Sequence, residues 1–206
     1  KTSYIGSVKV TDGSLSTIQS ITVTINNLND NVPVFTSSAS FSAAENQTAI
    51  GLVLVSDADE DDITFSVSGS ELEITSAGVL SFSSAPDYEA NTSYTGTVTA
   101  TDGINTSTQD ITVNVTNVDD VAPVITSSAT FTAAENQTAI GTVTATDVDS
   151  SSIAFSVSGE GLSMSTSGVL TFSSAPDFET QSSYSGTVTA TDGINSSTQN
   201  IVVSVT

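Results

Sequence analysis

The sequence repeats itself with a fixed period of 90 residues, and this period constrains the fold more than any other feature. The segment AAENQTAIG fills residues 43–51 and 133–141, and GTVTATDGIN fills 96–105 and 186–195. Applied backwards, the same offset places Tyr4 at the position of Tyr94. We therefore predict three parts: the C-terminal two strands of a preceding repeat (1–31) and two complete repeats (32–121 and 122–206).

Within each repeat the apolar residues alternate with Ser, Thr and Asn. This period of two is clear in residues 94–101 and 111–116, and it is typical of strands with one buried face. Turn signals such as Asp102-Gly103 and Pro86-Asp87 separate about seven such runs, and no convincing helical pattern interrupts them. The sequence thus predicts an all-β fold of tandem seven-stranded antiparallel Greek-key β-sandwiches.

The first part should form only a hairpin, with strands at 4–11 and 16–26. A lone hairpin is marginal in water and would leave its apolar residues partly exposed. Two explanations stay open. The sequence is either a window on a longer array, or a like chain completes the hairpin, as in a strand-complemented fibre.

The charge of the chain is extreme. Lys1 and Lys9 are the only cations against 23 carboxylates, which gives a net charge of -21. Such a surface repels nucleic acid and anionic membranes, so we expect neither as a partner. No apolar run approaches the roughly 20 residues that span a bilayer, so direct membrane insertion is not expected. Without Cys or His, the chain has no disulfides, thiolate zinc sites or imidazole bases.

The carboxylates gather at strand ends and turns instead of spreading evenly. In the first complete repeat they occur at Glu45, at Asp57 with Asp59, at Asp87 with Glu89, at Asp102, and at Asp119 with Asp120. The second repeat matches with Glu135, Asp147, Asp149, Asp177, Glu179 and Asp192. Turns alone do not require carboxylates from several segments. A hard cation that takes six to eight oxygen ligands does.

These motifs, in this order, resemble the cadherin repeat. The order is Glu-Asn, Asp-x-Asp, Asp-x-Glu, Ala-Thr-Asp-Gly and an Asn/Asp-rich linker before Pro, and the segment Asn27 to Pro33 follows that linker closely. The wording AENQT and TVTATDG is typical of bacterial-type cadherin-like repeats of adhesins and surface filaments. The resemblance covers the whole chain and implies cadherin/Ig-like sandwiches in an extracellular, cell-surface protein.

The resemblance also implies calcium sites between repeats, where two repeats and their linker contribute ligands. For the second join the upstream repeat would give Glu45, Asp87 and Glu89, the linker Asn117, Asp119 and Asp120, and the downstream repeat Asp147, Asp149 and Asp192. For the first join the implied ligands are Asn27, Asn29, Asp30, Asn31, Asp57, Asp59 and Asp102. Glu135, Asp177 and Glu179 would serve a following repeat.

This sequence departs from the family's pattern in three ways. Asn27 and Asn117 stand where the linker normally begins with Asp, and Asp119-Asp120-Val121 replaces Asn-Asp-Asn. The usual Gly-x-Asn after Asp-x-Asp is replaced by residues 60–62 and 150–152. We expect two or three calcium ions per join, with affinities of roughly 10⁻⁴–10⁻³ M.

We therefore predict a non-enzymatic, calcium-rigidified adhesion or scaffold array, with like chains or a surface glycan or protein receptor as possible partners. Paired carboxylates can hydrolyse glycosides, but active sites are rarely copied into tandem modules. A calcium-dependent carbohydrate-binding module is the alternative. Its only aromatic candidates are Tyr88 and Phe178, because Tyr4, Tyr94 and Tyr184 share an inward-facing position of a strand.

Overall fold

A computed structural model describes residues 3–150 and 152–206, and every regular element in them is a β-strand. Since the described residues contain no helix, none of them forms one long and apolar enough to cross a membrane. The chain divides into two compact units, Lys1–Thr116 and Asn117–Thr206.

The strands follow the 90-residue period closely. In the first unit they are β1 (Ser3–Thr11), β2 (Ser16–Thr24), β3 (Val34–Phe35), β4 (Ser40–Ala44), β5 (Ala49–Leu52), β6 (Val55–Ser56), β7 (Thr64–Val67), β8 (Leu72–Ile74), β9 (Val79–Phe82), β10 (Ser93–Thr101) and β11 (Thr106–Thr116). In the second unit they are β12 (Val124–Ile125), β13 (Thr130–Ala133), β14 (Ala139–Thr142), β15 (Ala145–Thr146), β16 (Ala154–Ser158), β17 (Leu162–Met164), β18 (Val169–Phe172), β19 (Ser183–Thr191) and β20 (Ser196–Val205).

Each complete repeat is a sandwich of two sheets. In the first repeat the strand orders are β4-β11-β10-β7 and β5-β9-β8, with a short β3-β6 pair beside them. The second repeat has the orders β13-β20-β19-β16 and β14-β18-β17, with the pair β12-β15. The predicted all-β sandwich is confirmed. The nine strand segments of the first repeat correspond to seven strands, because β3 with β4 and β5 with β6 each form one interrupted strand, and the second repeat has the same arrangement.

One pairing differs from the antiparallel prediction. β4 runs parallel to β11, and β13 runs parallel to β20. The interruption at residues 36–39 explains the difference. It lets the chain pair first with β6 and then cross to the other sheet, where it lies beside the last strand and runs in the same direction.

The two sandwiches have equivalent cores. Leu80 and Val98 of the first repeat have no exposed surface, and neither do Leu170 and Val188 of the second. Phe82 packs edge-on against Tyr94 with ring centroids 5.1 Å apart, and Phe172 packs against Tyr184 at 4.9 Å. The inward position predicted for these two tyrosines is confirmed, whereas Tyr4 is 48 % exposed.

The β1–β2 hairpin has the same register as β10–β11 but not the same burial. Gly6 faces Ile21 just as Gly96 faces Ile111. Nevertheless Ile21 is 42 % exposed and Ile111 only 2 %. Within the described residues, β1 and β2 pair only with each other, so no second sheet covers their apolar face.

The long strand β10 separates two groups of acidic turn residues. It holds 9 residues, and at about 3.4 Å per residue its ends are roughly 27 Å apart. Asp87 and Glu89 precede β10, while Asp102 follows it. The acidic residues of one repeat therefore lie at opposite ends of its sandwich.

Candidate metal centre

At the end of the first sandwich that carries Asp102, the segment 27–31 lies against Asp59. The Oδ2 atom of Asp59 accepts hydrogen bonds from the backbone amides of Asp30 at 2.9 Å and Asn31 at 2.8 Å. The Asn31 side-chain amide also donates to Asp59 Oδ1 at 2.9 Å, and the Asn27 amide donates to the Asp59 carbonyl at 2.8 Å. Asp59 therefore holds this segment in place from several sides.

Asn105 fixes the other side of the same segment. Its side-chain amide donates to Asn29 Oδ1 at 2.8 Å, to the Asn31 carbonyl at 3.0 Å and to Asp102 Oδ2 at 3.2 Å. Sequence analysis did not single out Asn105, although its recurrence as Asn195 was a usable signal. Pro33 follows the segment and is fully buried, which anchors the linker to the sandwich core.

The hydrogen bonds within this group lower the pKa of two of its carboxyls. The Asn31 backbone amide, followed by the Asn31 side chain, lowers the pKa of Asp59. Burial works against ionisation of Asp102, but hydrogen bonds from Asn105 and Ile104 outweigh it and lower the pKa. Both groups are thus held as carboxylates, the form that binds a cation.

The predicted ligands from the sandwich at this end are Asp57, Asp59 and Asp102. Asp57 Oδ1 accepts the amide of Asp59 at 2.8 Å, while Asp57 Oδ2 is buried without a hydrogen-bond partner in the described residues. One oxygen each from Asp57, Asp59 and Asp61 lies within 4.8 Å of the others. Oxygens bound to one calcium ion at about 2.4 Å satisfy that limit, so these residues fit the ion.

Asp61 is the ligand candidate that sequence analysis did not include. Its Oδ2 is also buried and has no hydrogen-bond partner in the parts of the chain described. Burial, followed by the nearby charges of Asp57 and Asp59, raises its pKa. The corresponding residue in the second repeat, Ser151, lies outside the described residues.

The second repeat arranges its own linker in the same way. Asp149 Oδ2 accepts the backbone amides of Asp120 at 3.2 Å and Val121 at 2.7 Å, and the Asn117 amide donates to the Asp149 carbonyl at 3.3 Å. Asn195 donates to the carbonyl of Asp119 at 3.3 Å. The linker therefore docks on its downstream sandwich in both units.

Buried carboxylate oxygens recur in this second group. Oδ2 of Asp147 and Oδ2 of Asp192 have no hydrogen-bond partner among residues 3–150 and 152–206. Burial, followed by the charge of Asp192, raises the pKa of Asp119. Such groups lower their free energy by binding a cation, because unpaired buried charge is costly.

At the other end of each sandwich a second acidic group forms. It consists of Glu45, Asp87 and Glu89, and one carboxylate oxygen from each of them lies within 4.8 Å of the others. Glu45 is only 3 % exposed, and its Oε2 accepts the Tyr88 amide at 2.7 Å. A buried carboxylate next to two further carboxylates again fits a hard cation.

The second repeat brings together the equivalent residues Glu135, Asp177 and Glu179, also within 4.8 Å. Glu135 Oε2 accepts the Phe178 amide at 3.0 Å. The Thr180 hydroxyl donates to Asp177 Oδ2 at 2.8 Å and lowers the pKa of that carboxyl, helped by Glu179. At the position of Thr180 the first repeat has Ala90, whose backbone amide donates to Asp87 at 3.2 Å.

The two aromatic residues considered for sugar stacking differ in their surroundings. Tyr88 packs against the hydrophobic core of its repeat. Phe178 is 45 % exposed.

Comparison with solved structures identifies the fold. Human protocadherin-24 EC1-2 matches with a TM-score of 0.77 at 19 % identity, over 87 % of this chain and 99 % of that one. Mouse cadherin-23 EC22-24 matches with a TM-score of 0.69 at 25 % identity, over 99 % and 74 %. Each repeat has the cadherin fold.

Sequence comparison is consistent with this cadherin-like assignment, but the match covers a smaller part of the chain. No family model matches the chain. The chain is similar to the mouse cadherin EGF LAG seven-pass G-type receptor 2, with 34 % identity over 127 residues. That match covers 56 % of this chain and only 4 % of the receptor. The comparisons support a cadherin-like chain in general and not the bacterial adhesin type in particular.

Proposed function

We propose that this chain is a segment of an extracellular adhesion or scaffold array whose successive repeats are joined and stiffened by calcium. The observation that carries the proposal is the presence of two acidic groups at opposite ends of one sandwich. Within each group, one carboxylate oxygen from each residue lies within 4.8 Å of the others. A module with a cation-binding group at each end can be linked head to tail through ions. The cadherin fold supports the same reading.

The proposed ligands of the second join come from three segments. They are Glu45, Asp87 and Glu89 from the upstream repeat, Asn117, Asp119 and Asp120 from the linker, and Asp147, Asp149 and Asp192 from the downstream repeat. Two or three ions would offset the mutual repulsion of these carboxylates. Calcium would supply positive charge there, while the hydrogen bonds of Asp149 to the linker orient the acceptors.

Like chains are the proposed partners of the array. A similar solved structure, the protocadherin gammaB7 EC3-6 cis-dimer, has 28 % identity and a TM-score of 0.69 over 100 % of this chain and 58 % of that one. An extracellular location and the role of a filament or spacer belong to the same proposal. Glycan binding stays the alternative, with less support because Tyr88 packs into the core.

The first experiment is a calcium titration of the 206-residue chain followed by melting temperature. Calcium at 100 times its Kd stabilises the folded state by about 2.7 kcal/mol per site. For a unit of roughly 100 residues this raises the melting temperature by roughly 10 °C. Magnesium at the same concentration serves as the ionic control. Equal melting temperatures in calcium and in chelator would refute calcium binding.

A matched pair of triple variants tests the join itself. Glu45→Gln, Asp87→Asn and Glu89→Gln together should remove much of the calcium-dependent rise. The equivalent changes at Glu135, Asp177 and Glu179 should leave most of it, because residues 1–206 give that set no following repeat to pair with. Small-angle scattering should also show a longer maximum dimension in calcium than in chelator. Equal losses in the two variants would argue against ions between repeats.

A further inference from the structure

The first complete repeat carries a carboxylate that the second lacks. Asp61 follows the Asp57-x-Asp59 motif by two residues, and 90 residues later the chain has Ser151. Glu60 adopts a left-handed backbone conformation with a φ of 63°. Among the non-glycine residues described, only Asn46 and Asn136 share this conformation. This turn precedes Asp61, whose carboxyl oxygen lies within 4.8 Å of oxygens of both Asp57 and Asp59.

Two buried oxygens in this group lack protein partners. Oδ2 of Asp57 and Oδ2 of Asp61 are both buried, and neither has a hydrogen-bond partner in the described residues. Neighbouring Asp62 differs, because its side chain is exposed. The chain has only two cations, Lys1 and Lys9, and the one that the structure describes lies on β1. Compensation for these carboxylates must therefore come largely from cations in solution.

We infer that Asp61 is an additional calcium ligand of the first complete repeat, which strengthens calcium binding at residues 57–62. This inference rests on the proposed calcium-dependent function. Asp57, Asp59 and Asp61 offer three carboxylates to one ion position, whereas the second repeat has Asp147 and Asp149 with Ser151. Since ligand charge sets calcium affinity in oxygen sites, the extra carboxylate tightens the site between residues 27–31 and the first repeat.

The test compares Asp61→Asn with Asp62→Asn in the 206-residue chain. Both substitutions remove one charge and keep the side-chain volume, but only the first removes a proposed ligand. Amide NMR shifts are followed during calcium titration in 150 mM NaCl, which screens the longer-range effect of charge. Amides of residues 57–62 report the first site, and amides of residues 147–149 report the second site in the same molecule.

We expect Asp61→Asn to weaken calcium binding at residues 57–62 by about tenfold, with the response at residues 147–149 unchanged. Asp62→Asn should change the affinity less than about twofold. In chelator, Asp61→Asn should raise the melting temperature, because it relieves repulsion with Asp57 and Asp59. The substitution is thus expected to act with opposite signs on the calcium-free protein and on calcium affinity, which loss of a purely structural contact would not do.

The outcomes separate this inference from the function on which it rests. If the unmodified chain responds to calcium at both sites but Asp61→Asn and Asp62→Asn match it, the role of Asp61 is refuted and the proposed function stands. If neither site of the unmodified chain responds to calcium, the proposed function fails first. An equal loss of affinity in both variants would assign the effect to net charge and overturn direct ligation by Asp61.

Discussion

The three glycines Gly6, Gly96 and Gly186 provide a test of the packing, because they occupy equivalent strand positions in different surroundings. A Cβ atom added at Gly96 would lie 2.5 Å from the carbonyl oxygen of Ser68 and 3.0 Å from Cδ1 of Leu72. At Gly186 the distance to the Ser158 carbonyl would be 2.6 Å. At Gly6 the nearest atom would be Cγ1 of Ile21 at 3.7 Å, an ordinary contact.

These distances set the expected magnitudes. A carbon and a carbonyl oxygen normally approach to about 3.3 Å, so Gly96→Ala must move backbone by roughly 0.8 Å between β7 and β10. Such overpacking typically costs about 1–3 kcal/mol, and we expect the upper part of that range because backbone must move. Gly6→Ala should instead be neutral or stabilise by up to about 0.5 kcal/mol, because Ala is less costly than Gly in a strand.

Differential scanning calorimetry in chelator measures the effect without contributions from calcium. A loss of about 3 kcal/mol lowers the melting temperature of a domain of roughly 100 residues by about 12 °C or more. Gly96→Ala should shift the transition of Lys1–Thr116, and Gly186→Ala that of Asn117–Thr206. If Gly96→Ala melted within 2 °C of the unmodified chain, or if Gly6→Ala were equally damaging, the close approach of β7 to β10 would be wrong.

Three further predictions concern the core, the linker and the carboxyl groups. Leu80→Ala should destabilise its unit by about 2.7–5 kcal/mol, because Leu80 has no exposed surface, and urea denaturation would measure the loss. Asn105→Ala removes two hydrogen bonds to the linker and one to Asp102, so hydrogen exchange at residues 27–31 should quicken several-fold while the core amides keep their protection. Without calcium, carboxyl NMR should show Asp59 titrating below the ordinary Asp pKa of 3.8 and Asp61 above it. The stabilising effect of ionised Asp59 is then lost as the pH falls through its lowered pKa, whereas that of protonated Asp61 is lost as the pH rises through its raised pKa. A reversed order of the two values would contradict the described hydrogen bonds.

The sequence by itself determined the positions of the strands and the pairing within the hairpins, but not the parallel pairing of β4 with β11 and of β13 with β20. Alternation of apolar residues with Thr and Ser, together with Asp-Gly turns, is local information, and it places β1–β2 in the same register as β10–β11. The acidic turns were visible for the same reason, since Asp57, Asp59 and Asp102 stand next to strand ends. The fold class followed from the number and spacing of these strands within one period.

Only the tertiary structure decided which of these local features are buried and which groups meet. Ile21 and Ile111 occupy the same position in hairpins of the same register, but only Ile111 is covered by a second sheet. Asp59 and its hydrogen-bond partners in the linker are separated by 28 or 29 positions in the sequence. Asn105 and its partner Asn29 are separated by 76 positions. In the sequence Asp61 is one more acidic residue of a polar turn, whereas in the fold its Oδ2 is buried and its carboxylate lies beside that of Asp57. Alternation records the face of a strand, but burial and ligand geometry depend on distant segments, which a local pattern does not encode.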